Sequence, residues 1–462
     1  MKETMKNAIS MVLIITILLC ASMPCKAVVR FRAPVARTAL LVEVDTGMIL
    51  YDYNKDSRHP ADTLVRAMTL LLAVSACETG AIDPSKKVEM TETAYFDISS
   101  TISPAVIQPG EELTVLDLMY FAYIGESAEA CNLLAETISG SIEQFVRLMN
   151  SRADELSCEN TRFINTHGQH NSRQYTTAMD LSLILREAMS KPLFVEISGT
   201  YRHDVEETDM SEPRRIINPN AMLNPNSKYY YGSCTSGMIS SSYEGGYSSI
   251  EYAESEGLSL ISVILGSDAI VFEDESVELR NITEAHRLLE WGFSQFSRRT
   301  VLSSQDIVDK TQVLHGAGAD FVNLSPESSI TLLLSNDVLD EDFEKIVKIY
   351  SIENGRPLYA PVNAGDVLGE VTLIRDNIEY GTVLLVADTN IELNRLQFIR
   401  MQTVDMLSTR VARLIMWALT MIILGYLALV VRYNILRRKR IREIAEAKQK
   451  LKEERRRVTW EE

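Results

Sequence analysis

The stretch that decides the fold of this chain is residues 60–69, PADTLVRAMT, which continues into the apolar segment LLLAVSA at residues 70–76. Apolar side chains recur there at the three- and four-residue spacing of a helix, at Leu64, Ala67, Met68, Leu71 and Leu72. This spacing predicts a buried helix that begins after Thr63. The hydroxyl of Thr63 directly precedes the periodic residues and predicts the N-cap of that helix.

Strand and helix patterns alternate around this helix over residues 28–297. Residues 39–53, ALLVEVDTGMILYDY, form two apolar runs around a central Asp-Thr-Gly and predict a β-hairpin. Helices are predicted at residues 113–125, 128–138 and 141–156, and a buried strand at residues 258–267. From residue 298 to 395 short alternating runs are separated by turn residues, which predicts a small all-β sandwich domain.

Both ends of the chain carry apolar segments. Residues 1–27 combine lysines with an apolar stretch and predict a signal peptide, with an uncleaved anchor as the alternative. Residues 396–413 predict a juxtamembrane helix. Residues 414–431, LIMWALTMIILGYLALVV, predict a transmembrane helix, with a buried core helix as the alternative. Arginines follow at once, so we expect a single-pass cell-membrane protein whose bulk is extracytoplasmic and whose residues 432–462 are cytoplasmic.

The net charge of −17 hides a difference between the tail and the rest of the chain. Residues 432–462 hold 12 Lys or Arg and 6 Asp or Glu, which leaves a charge of −23 on the other 431 residues. A body this acidic repels phosphates, so nucleic-acid binding is not expected. The basic tail predicts a charged helix that either contacts anionic lipid or stays solvated.

Four cysteines lie outside the N-terminal segment, at Cys77, Cys131, Cys158 and Cys234. They lack C-x-x-C spacing, so no zinc site is predicted, and we expect buried free thiols rather than disulfides. Of the six histidines only His167 and His170 lie close in sequence, and neither has a carboxylate at metal-ligand spacing. We therefore expect no metal or cofactor.

Seven stretches resemble, in order and spacing, the low-molecular-weight penicillin-binding proteins, which are secreted D-alanyl-D-alanine carboxypeptidases. They are LLVEVDTGMILYDYN, AMTLLLA, LTVLDLMY, LLAETISGSIEQFVRLMNSRADEL, NTRFINTHG, YTTAMDLS and SLISVILGS, within residues 35–394. The resemblance implies an α+β fold, with a serine β-lactamase-like domain at residues 28–297. In that domain a mixed sheet packs against a helical cluster, and the site lies between them. The β-sandwich domain and the transmembrane helix follow.

The chemistry of that family rests on three motifs, and this chain departs from each of them. At the Ser and Lys of S-x-x-K the chain has Thr63 and Arg66. At the outer positions of S-x-N it has Glu126 and Ala128, with Ser127 between them. At K-T-G it has Thr235, Ser236 and Gly237. The resemblance thus implies catalytic positions at Thr63, Arg66, Glu126, Ala128 and Thr235, and ligand-binding positions at Ser127, Ser236 and Gly237.

The replacements change what these positions can do. In the family the Ser attacks a peptide carbonyl, and the Lys one helical turn on takes its proton. Thr63 keeps a hydroxyl, but the guanidinium of Arg66 stays protonated and cannot act as a base. We therefore expect a non-catalytic family member at the cell wall, which binds a peptidoglycan stem peptide or a cell-wall, divisome or sporulation protein. The alternative is a working D-alanyl-D-alanine carboxypeptidase that uses the altered residues. Glu126 could then act as a surrogate base, although we expect a solvated loop carboxylate at this position.

Overall fold

The computed structural model describes residues 31–95, 98–99, 107–271 and 277–458. The predicted signal peptide lies outside these residues. The chain divides into two compact units. The first holds the residues up to Arg299 together with Leu332–Asp340, and the second holds Thr300–Thr331 together with the residues from Glu341 onward.

The first unit contains a five-stranded sheet with helices on both faces, and all of its strand pairs are antiparallel, so the expectation of a mixed sheet is wrong. The strand order is β2-β1-β11-β10-β9. In chain order the elements are β1 (Thr38–Glu43), β2 (Ile49–Tyr53), β3 (His59–Pro60), α1 (Arg66–Glu78), β4 (Lys87–Glu89), β5 (Glu112–Thr114), α2 (Val115–Tyr123), α3 (Ala128–Ser139), α4 (Ile142–Glu155), β6 (Tyr175–Thr176), α5 (Ala178–Met189), α6 (Pro192–Gly199), β7 (Arg202–Val205), β8 (Arg214–Ile217), β9 (Cys234–Ser242), β10 (Gly246–Ser255), β11 (Leu258–Ser267), β12 (Ala269–Val271), β13 (Val277–Leu279) and α7 (Arg280–Gln295).

Strand β1 explains why the sheet is covered on both faces. Its six residues are all buried, and they alternate between two hydrophobic clusters. Leu40 and Val42 pack into the cluster formed with helices α1 to α6. Ala39 and Leu41 pack into the cluster that contains residues of α7. The predicted hairpin of β1 and β2 and the predicted buried strand β11 are both confirmed.

Most helices around the site begin as their sequences indicate. The side chains of Thr114, Ser127 and Ser141 accept hydrogen bonds from backbone N–H groups at the starts of α2, α3 and α4. Helix α1 differs, because a single 3₁₀ turn at Asp62–Val65 precedes it and Val65 occupies the N-cap position. The prediction that Thr63 is the N-cap is wrong. Thr63 lies inside the 3₁₀ turn, so its hydroxyl is displaced from the free N–H groups of the α-helix.

The four cysteines are free thiols, as expected from their spacing. Cys131, Cys158 and Cys234 are buried, and Cys77 is half-buried. Burial raises the pKa of the Cys131 thiol to about 12, which keeps it protonated and unreactive at neutral pH.

The second unit is all-β apart from one short helix before its long C-terminal helices. Strands β14 (Phe296–Leu302) and β17 (Ile330–Ser335) each run across the boundary between the units in sequence. The other elements are β15 (Asp309–Leu314), β16 (Phe321–Pro326), β18 (Glu344–Ile349), α8 (Tyr350–Glu353), β19 (Leu358–Tyr359), β20 (Val367–Arg375) and β21 (Ile378–Ala387), and the strands are linked in the order β18-β20-β21-β16-β15-β19. The predicted β character of this domain is confirmed.

Two helices end the chain, α9 (Arg395–Ser408) and α10 (Arg410–Val458). Thr409 separates them in an extended conformation. Helix α10 contains the predicted span, and in the described part of the chain it is the one helix long and apolar enough to cross a membrane. None of its most apolar window is buried, which fits a membrane anchor rather than a core helix.

Candidate active site

Positions from all three motifs meet around one small cavity in the first unit. Thr63 comes from the 3₁₀ turn, Arg66 from the start of α1, Glu126 from the connection between α2 and α3, and Gly237 from β9. The remaining lining residues are Tyr123, Asn218, Pro219, Met238 and Ile239. The cavity measures about 240 Å³ including its mouth, so it is large enough for a small polar group only.

Arg66 dominates the electrostatics of the cavity. Its side chain is 1% exposed, and its Nε donates a hydrogen bond to the backbone oxygen of His167 at 2.8 Å. Nη1 lies 3.9 Å from Oε1 of Glu126, which is an ion pair beyond hydrogen-bond distance. Within the described residues, Nη1 and Nη2 have no hydrogen-bond partner. The fork of a permanently charged guanidinium therefore lies unsatisfied at the cavity wall.

Two hydroxyl groups beside Arg66 are also unsatisfied. Oγ1 of Thr63 and the phenol of Tyr123 are both buried and lack a hydrogen-bond partner in the part of the chain that the structure describes. Burial raises the pKa of Tyr123, so the phenol keeps its proton and remains a donor. Buried polar groups in folded proteins almost always have partners, so three such groups around one cavity point to a functional site.

Backbone strain marks both sides of the cavity. Asp62, directly before Thr63, has φ 41°, and Glu126 has φ 54°, in the region that disfavours side chains other than glycine. Asp62 is held by a hydrogen bond from the hydroxyl of Ser242 at 2.6 Å. The NTHG loop holds the same turn from the other side, because a Cβ on Gly168 would lie 2.2 Å from the backbone oxygen of Asp62.

His167 of that loop supports Arg66 without supplying a base at the cavity. Burial and the charge of Arg66 lower the pKa of His167 to about 4, so the ring is neutral at neutral pH. Its Nδ1 accepts a hydrogen bond from the backbone N–H of Gln169 at 3.2 Å. The backbone oxygen, rather than the ring, contacts Arg66.

Of the third motif, only Gly237 reaches the cavity. Strand β9 bulges against β10, because Ser236 pairs with Tyr252 while Cys234 pairs with Ala253. Thr235 is the residue skipped by this bulge, and its side chain is exposed. Ser236 is buried, and its hydroxyl donates to that of Ser198 at 2.7 Å.

The other two positions of the second motif serve the start of α3. Ser127 is fully buried, and its Oγ accepts from the backbone N–H of Ala130 at 3.1 Å. Ala128 is the first residue of the helix and is buried as well. Neither is among the cavity-lining residues. The structure thus brings Thr63, Arg66, Glu126 and Gly237 together, and leaves Ala128, Ser127, Thr235 and Ser236 outside the cavity.

Beneath Gly237 lies a buried carboxyl group that the sequence did not reveal. Glu251 pairs with Gly237 across the sheet, and its Oε2 accepts from Nδ2 of Asn220 at 2.7 Å and from Sγ of Cys234 at 3.5 Å. A Cβ on Gly237 would lie 1.8 Å from this Oε2. Burial raises the pKa of Glu251 to about 8.

Sequence reasoning also missed Tyr123, Asn218, Met238 and Ile239. Tyr123 is the last residue of α2, and Glu126 lies in the connection that follows, so helical spacing could not show that the two line one cavity. Asn218 and Pro219 form a turn dipeptide that carried no indication of function.

The chemistry that this set of side chains allows is narrow. Among the described lining residues, Glu126 alone has a carboxylate, and none is a Lys, His or Cys. A metal ion is disfavoured because a buried guanidinium already supplies positive charge. The walls otherwise present hydrogen-bond donors, which suits an anion better than a cation.

Comparison with known proteins identifies the family. Residues 28–269 match the D-alanyl-D-alanine carboxypeptidase family, and residues 296–393 match the C-terminal domain of penicillin-binding protein 5. D-alanyl-D-alanine carboxypeptidase DacF of Bacillus subtilis (strain 168) is 28% identical over 343 residues, which are 74% of this chain and 82% of that protein. D-alanyl-D-alanine carboxypeptidase DacC of Escherichia coli (strain K12) is 27% identical over 357 residues, with coverages of 73% and 79%.

Solved structures support the same fold. Penicillin-binding protein 5 from Haemophilus influenzae has a TM-score of 0.56 at 22% identity, covering 79% of this chain and 99% of its own. Penicillin-binding protein 6B from Escherichia coli has a TM-score of 0.58 at 20% identity, with coverages of 78% and 98%. The resemblance drawn from the seven sequence stretches is confirmed. The match over residues 28–269 covers more than half of the chain. This chain therefore belongs to the D-alanyl-D-alanine carboxypeptidase family.

Proposed function

We propose that this chain is a non-catalytic member of the family, anchored in the cell membrane, that acts at the peptidoglycan on the extracytoplasmic side. The observation that carries the proposal is the buried guanidinium of Arg66, in the position of the catalytic lysine and 1% exposed. A lysine can release a proton and accept one from the nucleophile, whereas a guanidinium holds its protons at any ordinary pH. Thr63 therefore lacks the adjacent base that hydroxyl nucleophiles require.

The location rests on α10 and its charges. The apolar window of this helix fits a span, and the 12 Lys or Arg of residues 432–462 follow it directly. The positive-inside rule then assigns the tail to the cytoplasm and both folded units to the outside. Since the relatives from Bacillus subtilis and Escherichia coli described above are named D-alanyl-D-alanine carboxypeptidases, the ligand we propose is a stem peptide of the wall or, as a second choice, a wall-assembly or sporulation protein.

An active carboxypeptidase with altered residues is the rival proposal, and one observation favours it. Glu126 and Thr63 line the same cavity, so the carboxylate of Glu126 is a candidate base. Against this, the carboxylate lies 3.9 Å from Nη1 of Arg66, while Oγ1 of Thr63 has no hydrogen-bond partner among the described residues, so Glu126 is not bonded to the hydroxyl it would have to deprotonate.

The deciding experiment is intact mass spectrometry of the full chain in detergent after incubation with excess penicillin. We expect no covalent adduct on this chain, while penicillin-binding protein 5 from Haemophilus influenzae serves as the positive control. A stable adduct on Thr63 would refute the non-catalytic proposal and favour the active enzyme.

Reversion variants sharpen this test. The single variant Thr63→Ser is expected to stay inert, because a better nucleophile without a base gains little. The combined variant Thr63→Ser, Arg66→Lys, Glu126→Ser, Ala128→Asn and Thr235→Lys restores the motif residues together and is the one we expect to take up penicillin slowly. Acylation of the single variant would show that Glu126 can act as base.

A further inference from the structure

The cavity around Arg66 presents free donors to a space that can hold one small group. Nη1 and Nη2 of Arg66, Oγ1 of Thr63 and the phenol oxygen of Tyr123 are all buried and all lack hydrogen-bond partners among the described residues. A buried donor without a partner destabilises the folded state. Four such atoms at one site indicate that the cavity is completed by a bound group.

We propose that this cavity binds a small carboxylate, held by the guanidinium of Arg66 with the hydroxyls of Thr63 and Tyr123. The inference deepens the proposed function, on which it rests, by naming the ligand class of the altered site. A carboxylate matches the planar fork of a guanidinium, which can donate two parallel hydrogen bonds to its two oxygens. The Arg66 side chain is 99% buried, so this charge is poorly screened by water.

Size and charge exclude the main alternatives. The cavity is small, about 240 Å³ with its mouth, so it admits one small group such as a carboxylate head, while the remainder of a larger ligand would lie in the mouth. A cation is excluded by the positive charge of Arg66 at the wall. A neutral molecule would leave the charged guanidinium without a counter-charge inside the cavity, apart from Glu126.

Glu126 competes with the ligand for the guanidinium of Arg66 but cannot replace it. Its carboxylate lies 3.9 Å from Nη1, too far for a hydrogen bond, and its side chain is 34% exposed. It therefore lowers the positive potential of the cavity without satisfying the donors. Removal of its charge should strengthen the binding of any anion, whereas loss of a donor should weaken it.

The experiment measures the unfolding temperature of the full chain in detergent while the ligand concentration rises at constant ionic strength. A ligand that binds only the folded state raises this temperature in a way that yields its Kd. The probes are acetate, N-acetyl-D-alanine and the neutral N-acetyl-D-alaninamide. Acetate reports a free carboxylate and N-acetyl-D-alanine a peptide terminus, while the amide shows whether the charge is needed.

Three variants test groups at the cavity, and a fourth is the matched control. Tyr123→Phe should weaken carboxylate binding about fivefold and Arg66→Lys about tenfold or more, because each removes donors to the anion. Glu126→Gln should strengthen it about fivefold. Arg152→Gln on α4, an arginine paired with Glu155 and Glu187 outside the cavity, should change nothing.

Saturable stabilisation by either carboxylate but not by the amide, with these variant effects, would support the inference. Stabilisation by the amide as well, or equal Kd values for the wild type, Tyr123→Phe and Glu126→Gln, would overturn it even if Arg66→Lys fails to fold. Absence of carboxylate binding would also overturn it. The penicillin experiment reports separately on the proposed function, since an acyl adduct refutes that function whatever the carboxylates do.

Discussion

Helix α1 carries two buried polar side chains one turn apart, and their surroundings differ sharply. Thr69 donates through Oγ1 to the backbone oxygen of Thr166 at 2.6 Å, the hydroxyl of Thr166 donates to Oδ1 of Asn132 at 2.6 Å, and Nδ2 of Asn132 donates to the backbone oxygen of Ala94 at 2.9 Å. Arg66 satisfies only its Nε. The network of Thr69 is connected throughout, while that of Arg66 stops at the cavity.

This contrast shows that the free donors are a property of the cavity and not of loose packing. Thr69 and Arg66 are equally buried, on the same helix, and both contact the loop that contains Thr166 and His167. One side of the helix retains a completed scaffold. The other side presents buried hydrogen-bond donors that have no partner among the described residues.

The largest effect on stability is expected from Glu251, on the cavity side of the comparison. Its Oε2 accepts hydrogen bonds, whereas its Oε1 has no partner among the described residues. Its pKa of about 8 lies above the ordinary 4.5, so the folded state favours the protonated acid. Its stabilising contribution is complete below pH 4.5 and is lost as the pH rises through 8. Between pH 5 and pH 8 this titration should lower the free energy of unfolding of the wild type by on the order of 3 kcal/mol. The variant Glu251→Gln should abolish that decrease.

The measurement is the free energy of unfolding of the full chain in detergent at both pH values. Glu256→Gln, at an exposed position in the turn after the same strand, is the matched control and should keep the wild-type pH dependence. His167 has the opposite effect on stability. Its pKa of about 4 lies below the ordinary 6.5, so the folded state loses stability as the pH falls from 6.5 towards 4. An unchanged slope in Glu251→Gln would show that this carboxyl group is not the cause.

The next largest effect is expected on the completed side of the helix. Thr69→Val keeps the shape of the side chain but removes its donor, which leaves the buried oxygen of Thr166 without this bond. We expect a loss of about 1–3 kcal/mol in the free energy of unfolding, measured by urea denaturation at pH 7. A negligible loss would mean that the network around Thr69 contributes little, and the contrast with the cavity would fail.

The smallest effect is expected from the matched substitution on the cavity side. Thr63→Val removes a buried hydroxyl that has no partner among the described residues, so the free energy of unfolding should not fall and should rise by up to about 1 kcal/mol. The same urea denaturation compares it with Thr69→Val. A loss as large as that of Thr69→Val would show that the Thr63 hydroxyl is satisfied in solution without added ligand.

Several helices and strands of the first unit could be predicted from the sequence because their apolar periodicity is strong. Helix α1, the hairpin of β1 and β2, and the buried strand β11 follow from spacing alone. The N-cap at Thr63 failed because a 3₁₀ turn and an α-helix start share the same apolar spacing over four residues. Which of the two forms depends on the NTHG loop, which packs on the turn from about a hundred residues away in sequence.

The site was predicted only where a helix fixes the geometry. Thr63, Arg66 and Glu126 sit at or beside helix starts, and the structure brings all three to one cavity, while their functional roles stay a prediction. Thr235 depends on strand register, and a single bulge turned it to solvent. Glu251 gave no signal, because it alternates with the apolar Ile250 and Tyr252 and therefore resembles an outward-facing residue of a half-buried strand.

Gly237 has an evolutionary consequence that follows from the carboxyl group beneath it. Any side chain at this position would displace Oε2 of Glu251, which lies 1.8 Å from the place of a Cβ. Selection against misfolding would thus retain this glycine in a lineage that had lost all acyl transfer. The survival of a motif glycine is therefore no record of surviving catalysis, and Gly237 and Glu251 should be inherited, and lost, as a pair.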